Sequence, residues 1–383
     1  MSFAQDIRDS ARPALGYVAM GIVWAAFAAQ VPVLKAQVNA SDSVFGVIFL
    51  VSSLGAMAAM WLAPRVDRMF GAASMAVTSA ALAVTYVLTG LTGSAIVFTA
   101  VLLVIAGASG VLDVLMNARI SEIEARTRRP LMNLNHAIFS FSYCGAAVAT
   151  GFAREAGWSP TLVFTICAVV ILAMCPFMIV PHRPLSEEAE PDKKTGMGII
   201  VWLIGFVVLA GLFAEQSVEG WSALHLERTL GGAASAGAMG PAVLGLTMGI
   251  GRLSGQVLVR YTSDTVLIGL ACLLSAAGVA MAALAQTLLV AYLGFGMAGL
   301  GISVVVPLAM AMVGRSVPER RRVAAIGQAS IIGYVAFLIG PLAMGVTSDM
   351  FGLPAAFLLV GAVLVAVAFG LVPLIARRLA LSE

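Results

Sequence analysis

The sequence predicts an all-α membrane protein, with twelve transmembrane helices arranged as two pseudo-symmetric bundles of six. Three observations predict it. Of 383 residues, 61% are hydrophobic and only 11% charged, whereas soluble domains carry about 25% charged residues. The apolar residues fall into twelve stretches, each near the roughly 20 residues that a helix needs to cross hydrocarbon. A single polar interruption, residues 181–196 (PHRPLSEEAEPDKKTG), leaves six stretches on either side. Its prolines and charges keep it from packing as a core helix, so the expected domains are 1–180, a cytoplasmic linker 181–196, and 197–383.

The predicted spans are 12–34, 42–64, 72–92, 95–117, 132–154 and 160–180, then 197–219, 238–260, 264–286, 288–313, 324–347 and 353–376. The first follows Arg8 and Arg12 as a signal peptide would. It lacks a small-residue cleavage site and eleven similar segments follow, so it reads as a retained helix. Of the 22 Lys and Arg, all but Lys35, Arg154, Arg228 and Arg252 fall on one side when both termini are cytoplasmic. The positive-inside rule therefore sets that orientation, and the expected location is the cytoplasmic (inner) membrane. Cys144, Cys167, Cys175 and Cys272 all lie in apolar segments without CxxC spacing, which argues against disulfides and metal sites. No basic stripe with interleaved aromatics suggests nucleic acid.

Polar residues within the spans carry the functional information, because a charge at mid-membrane costs about 2.5–3.5 kcal/mol on insertion scales. Helix one offers Trp24 and Gln30. Helix four carries Asp113 on one face with Gly110 and Asn117, about a turn from the cytoplasmic end, where Arg119 is a candidate gate partner. Helix five carries Asn133, His136, Ser140 and Tyr143 at spacings that share one face. That stripe suits a water-filled cavity with substrate contact, or else interhelical hydrogen bonding. Helix seven contributes Glu215 and Gln216, with Glu219 expected at the solvated outer surface and Trp221 at the outer mouth. Helix eight places Gly245, Gly249, Arg252 and Gln256 on one face, and Arg252 could hold a substrate carboxylate or an internal acid. Gln328, Ser330 and Tyr334 give helix eleven a polar patch. Trp202 is expected at the lipid interface, while Gly294, Gly296, Gly299 and Gly301 of helix ten read as close packing.

The halves also resemble each other. Gly145 and Gly157 align with Gly340 and Gly352, and Phe27-Ala28-Ala29-Gln30 aligns with Phe213-Ala214-Glu215-Gln216. Such duplication is a habit of transporters built from paired halves.

The loop Ala63-Pro64-Arg65-Val66-Asp67-Arg68-Met69-Phe70-Gly71 resembles the loop motif of the major facilitator superfamily, with Ala63 where glycine is usual and one extra residue before Gly71. Two further stretches resemble the fucose-permease-like branch that includes the bypass-of-stop-codon permeases: Glu215–Leu226 (EQSVEGWSALHL) and Gly333–Gly345 (GYVAFLIGPLAMG). The resemblance implies the major facilitator fold and a gating role for Asp67 and Arg68, to which Asn117 and Arg119 are added by position. Sugar permeases of that branch couple to protons through an acid in helix four, which implies such a role for Asp113. Their helix-one acid has no match here. The antiporter Gly-Pro step of helix five is also missing, since Gly145 is followed by Ala146; the step Gly340-Pro341 stands in helix eleven.

The expected function is a secondary transporter moving a small polar solute (a sugar, sugar acid or related metabolite) by alternating access, as a proton symporter. Glu215 is the first candidate for the proton carrier and Asp113 the second. Proton-driven efflux of amphipathic compounds and a non-transporting membrane sensor are the alternatives. The expected partners are the solute, protons and the lipid bilayer, with the chain monomeric. No cofactor is expected. An enzyme is disfavoured, for want of a metal-ligand cluster or a Gly-x-Ser-x-Gly elbow.

Overall fold

The computed structural model describes residues 3–181, 198–258, 261–318 and 321–380; from residue 182 onward the expected linker lies outside them. Among the described residues the chain is helical, without strands. The helices are α1 Phe3–Gln37, α2 Asp42–Phe70, α3 Ser74–Val87, α4 Ala95–Thr127, α5 Met132–Glu155 and α6 Pro160–Met174. There follow α7 Ile199–Arg228, α8 Ala234–Leu258, α9 Asp264–Ala283, α10 Leu288–Ser316, α11 Arg322–Phe351, α12 Leu353–Ala366 and α13 Val372–Ala380.

Local chemistry explains the ends. Ser41, Ser159, Ser263 and Thr287 each accept a hydrogen bond from the backbone N–H three residues on, capping α2, α6, α9 and α10. The predicted sixth span to residue 180 is cut short: α6 gives way at Cys175 to a 3-10 turn that contains Pro176. A π turn at Val367–Leu371 separates α12 from α13. It lies just ahead of Pro373, which lacks an N–H and crowds the carbonyl four residues back. Elsewhere α1, α4, α7 and α11 run beyond their predicted spans into polar turns that hydropathy does not register.

Among the described residues ten stretches are long and apolar enough to cross a membrane, fewer than the twelve spans read from the sequence. One of them, 42–90, contains both α2 and α3. The 24-residue α5 is not among the ten, because Asn133, Asn135, His136, Ser140, Ser142 and Tyr143 dilute its apolar character.

The pairing of helices repeats from one half of the chain to the other. Contacts α1–α5, α2–α4, α3–α4 and α3–α6 recur six helices on as α7–α11, α8–α10, α9–α10 and α9–α12. The halves meet along two seams, α5 against α8 and α2 against α11, with α1 crossing α7 and α8. Glycine makes both seams close. A Cβ on Gly46 would sit 2.5 Å from the Pro341 carbonyl oxygen, and one on Gly249 would press on the Phe141 ring. The molecule's exterior carries large apolar side chains such as Trp61, Ile96, Phe152, Leu289 and Phe369, and Trp202 is exposed as expected. That surface suits a hydrocarbon solvent.

Candidate functional site

Most of the polar residues singled out in the sequence converge where the two halves meet. From α8, the Arg252 guanidinium donates to the Ser140 hydroxyl at 2.6 Å and to the His136 carbonyl at 3.4 Å, both on α5. Its other amino group reaches the Glu215 carboxylate of α7 at 3.4 Å. One planar fork thus ties α5 to α7. Of the two partners considered for Arg252, an internal acid is the one it holds.

One turn beyond Glu215, the Gln216 amide donates to Glu219 at 3.0 Å. Glu219 is half-buried and stands one helical turn from Glu215. It does not stand at a solvated surface as expected, because Tyr143 of α5 lies over it. The Tyr143 hydroxyl is buried and makes no hydrogen bond of ordinary geometry.

The expected water-filled face of α5 is only partly so. His136 and Asn133 are half-buried, whereas Ser140 and Tyr143 are 1% and 2% exposed. Gly245 lets α8 approach so closely that a Cβ there would meet the Tyr143 ring and the Ser140 carbonyl, closing the seam over both. For Ser140, interhelical hydrogen bonding is the reading realised.

A second polar run lies toward the face that bears the α4–α5 turn. Tyr17 donates to the Asn117 side chain at 2.7 Å, and Asn117 donates to the Asp113 carboxylate at 3.0 Å. The Tyr17 ring meets the His136 imidazole edge-on at 5.2 Å, which carries the run to the Arg252 cluster. Tyr334, Gln328 and Ser330 of α11 are half-buried. Arg119 does not pair with Asp113. It forms a buried ion pair with Asp67 of α2, which also accepts from Ser74 at 2.9 Å, and Arg68 is exposed at the same turn.

The remaining sequence candidates divide. Trp24 donates to Ser109 at 2.8 Å and is half-buried beside the centre. Gln30 is fully buried, with both amide atoms unpartnered. The side chain of Gln256 lies outside the described residues. Trp221, expected at a mouth, is instead buried, because Phe45 of α2 packs edge-on against its ring at 6.2 Å.

Sequence reasoning missed a second charged cluster, at the face bearing the α1–α2 turn. Arg228 of α7 grips Asp42 of α2 at 2.9 and 2.6 Å. Lys35 joins Asp42 at 2.8 Å, and the Ser348 hydroxyl also donates to it. Asp349 of α11 accepts from the backbone N–H groups of Asp42 and Ser43 at 3.0 and 2.7 Å, at the N-terminus of α2. Arg154 of α5 holds Glu227 of α7 with two hydrogen bonds, at 2.7 and 3.0 Å. The available signal was that Lys35, Arg154 and Arg228 are the few basic residues expected on this face. Among the described residues no group of His, Cys, Asp or Glu could hold a metal ion.

The sequence profile of the Major Facilitator Superfamily matches residues 14–307 and 260–380. The chain is 29% identical to an uncharacterised MFS-type transporter of Yersinia pestis, over 92% of each chain. It is 26% identical to membrane protein MosC of Rhizobium meliloti, over 91% of this chain and 86% of that one. Among solved structures it is similar to a D-xylose–proton symporter, at 16% identity and a TM-score of 0.77 over 97% of each chain. It is also similar to a bacterial homologue of the human lysosomal transporter Spinster in an inward-facing, occupied conformation, at 15% identity and a TM-score of 0.74 over 98% of each chain.

Proposed function

Because this chain belongs to the Major Facilitator Superfamily, we propose that it is a secondary transporter that moves a small polar solute by alternating access and draws on the proton gradient. In this reading α1–α6 and α7–α13 form two bundles of six crossings, with α12 and α13 making one crossing and α5 counted despite its polarity. Residues 181–196 join the bundles on the cytoplasmic side, as do both termini, in the inner membrane of the cell. The basic residues support that orientation, and the repeated helix pairings support the duplication.

The observation that carries the reading is the Arg252 bridge. A guanidinium at membrane depth, shared between Ser140 of one half and Glu215 of the other, is costly unless it serves a polar pathway. At 3.4 Å the Glu215 contact is long for a charged hydrogen bond, which normally lies at 2.7–2.9 Å. Protonation of Glu215 removes its attraction for Arg252 and loosens the tie between α7 and α5. Asp113, held through Asn117 to Tyr17, is the second proton-binding candidate. Trp24, Gln30, Asn133, His136, Gln216, Gln256, Gln328 and Tyr334 complete the proposed lining. Asp67, Arg68, Asn117 and Arg119 form the proposed cytoplasmic gate. The ion pairs at the α1–α2 face support an inward-facing conformation, with that face sealed. Among structural neighbours, the D-xylose–proton symporter moves a solute of this class with protons. The fucose-permease-like stretches agree.

The test is uptake into proteoliposomes under an imposed proton gradient. The Glu215→Gln variant is expected to lose gradient-driven accumulation of the solute while retaining exchange. Accumulation equal to that of the unaltered protein removes Glu215 as the carrier.

A further inference from the structure

We propose that Glu219, with Gln216 and Tyr143, is the seat for a protonated amine on the transported solute. This rests on the transport reading and names the solute class. The Arg252 cluster holds two carboxylates and one guanidinium. Arg252 spends its donors on Ser140, the His136 carbonyl and Glu215, so its charge is matched by Glu215. Glu219 follows four residues on, on the same helical face, and its bonded partner is the Gln216 amide at 3.0 Å, a dipole without net charge. His136 packs its ring on Tyr17, and its carbonyl accepts from Arg252. With both carboxyls ionised the locus would carry one more negative charge than positive, in surroundings that penalise an unmatched charge, so Glu219 calls for a proton or a cationic partner.

A second observation marks where the counter-charge belongs. Tyr143 is 2% exposed, and its hydroxyl faces Glu219 without reaching it, or any other group, at ordinary hydrogen-bond geometry. A buried hydroxyl left unbonded is uncommon, because its desolvation is uncompensated. An ammonium group between the Glu219 carboxylate and the phenol oxygen would satisfy both, since it offers three donors and each oxygen accepts. Glu219 is half-buried and so can be reached. A solute carboxylate would meet an unfavourable field here, and a neutral hydroxyl would leave the charge unmatched. The amine reading thus separates amino-substituted polyols from the sugar acids that Arg252 alone would suggest.

The experiment is a thermal-shift titration of the full purified chain with two matched sets: glucosamine, glucose and glucuronate, and ethanolamine, ethylene glycol and glycolate. A ligand of the native state raises the apparent Tm by mass action. The amino member of a set is expected to bind at least tenfold more tightly than its hydroxyl and carboxylate counterparts. Glu219→Gln is expected to erase that preference, and the near-isosteric Tyr143→Phe to reduce it several-fold. A carboxylate preference, failure of every amino member to bind, or an amine preference unchanged in both variants overturns the proposal. If Glu219→Gln abolishes proton drive in proteoliposomes without altering solute preference, a proton supplies the counter-charge and the amine seat is refuted while transport stands. Absence of any gradient-driven flux in the unaltered protein sinks the transport reading itself, whatever the amines do.

Discussion

Asp42 and Arg228, 186 residues apart in the chain, are joined by two charged hydrogen bonds of 2.9 and 2.6 Å that bind the start of α2 to the end of α7. The carboxylate is 2% exposed and the guanidinium 43%, so the acid is the more costly member to leave alone. Lys35 and Ser348 also bind Asp42, which makes it the point where α1, α2, α7 and α11 converge.

Replacing Asp42 with Asn is therefore expected to weaken closure of this face. Breaking a buried ion pair costs about 3–5 kcal/mol, though the exposure of Arg228 places this pair at the low end. Labelling of a Ser43→Cys reporter by a membrane-impermeant maleimide should rise several-fold in the Asp42→Asn background. An unchanged rate would show that the apolar seam alone holds the face shut.

Glycine gives a paired prediction. Gly46→Ala drives a methyl into the Pro341 carbonyl in the α2–α11 seam, and overpacking of this kind costs about 1–3 kcal/mol. Gly145→Ala meets nothing within 4 Å and should be neutral, or stabilising by about 0.5–1 kcal/mol through helix propensity. Apparent Tm in detergent separates them: a fall for Gly46→Ala, none for Gly145→Ala. Equal behaviour of the two would contradict the close packing of the seam.

The buried pair of Asp67 and Arg119 predicts strong coupling. Asp67→Asn and Arg119→Gln should each destabilise by about 3–5 kcal/mol, since each strands a buried charge. The double variant should lose clearly less than the sum of the two. Additive losses in a denaturation cycle would mean that the two side chains do not support one another.

At Arg252, charge and geometry can be told apart. Arg252→Lys keeps the charge but replaces the fork with a single ammonium, which cannot span Ser140 and Glu215 together. Transport is expected to fall more than tenfold in the lysine variant and by a similar factor in Arg252→Gln. Full activity with lysine would make charge alone sufficient.

Much of this architecture was legible in the sequence, because bilayer thickness imposes a length on every apolar stretch. The helix-five stripe and the intramembrane arginine were also visible, since a polar group in hydrocarbon must be answered by another. What could not be read was which group answers. Nothing in the one-dimensional pattern says that Arg252 takes Ser140, or that Arg119 prefers Asp67 to Asp113. Glu219 and Trp221 were misplaced for a related reason: the predicted span ended at residue 219, whereas α7 continues to Arg228, and depth along one helix does not reveal what neighbouring helices lay across it. Asp42, Asp349 and Glu227 lie at helix ends where an acid carries no mark of its own, and their partners stand on other helices.

The polarity of α5 has a bearing on how the protein is made. On its own this helix presents Asn133, His136, Ser140 and Tyr143 to whatever surrounds it, and the translocon sorts helices by that surface. The groove that shields the stripe belongs largely to α8, which begins at Ala234, long after α5 ends at Glu155. The first six helices therefore leave the ribosome with one member incompletely sheltered, and biogenesis is complete only when the later half docks. An otherwise harmless truncation after residue 198 would release a half-protein prone to quality-control degradation.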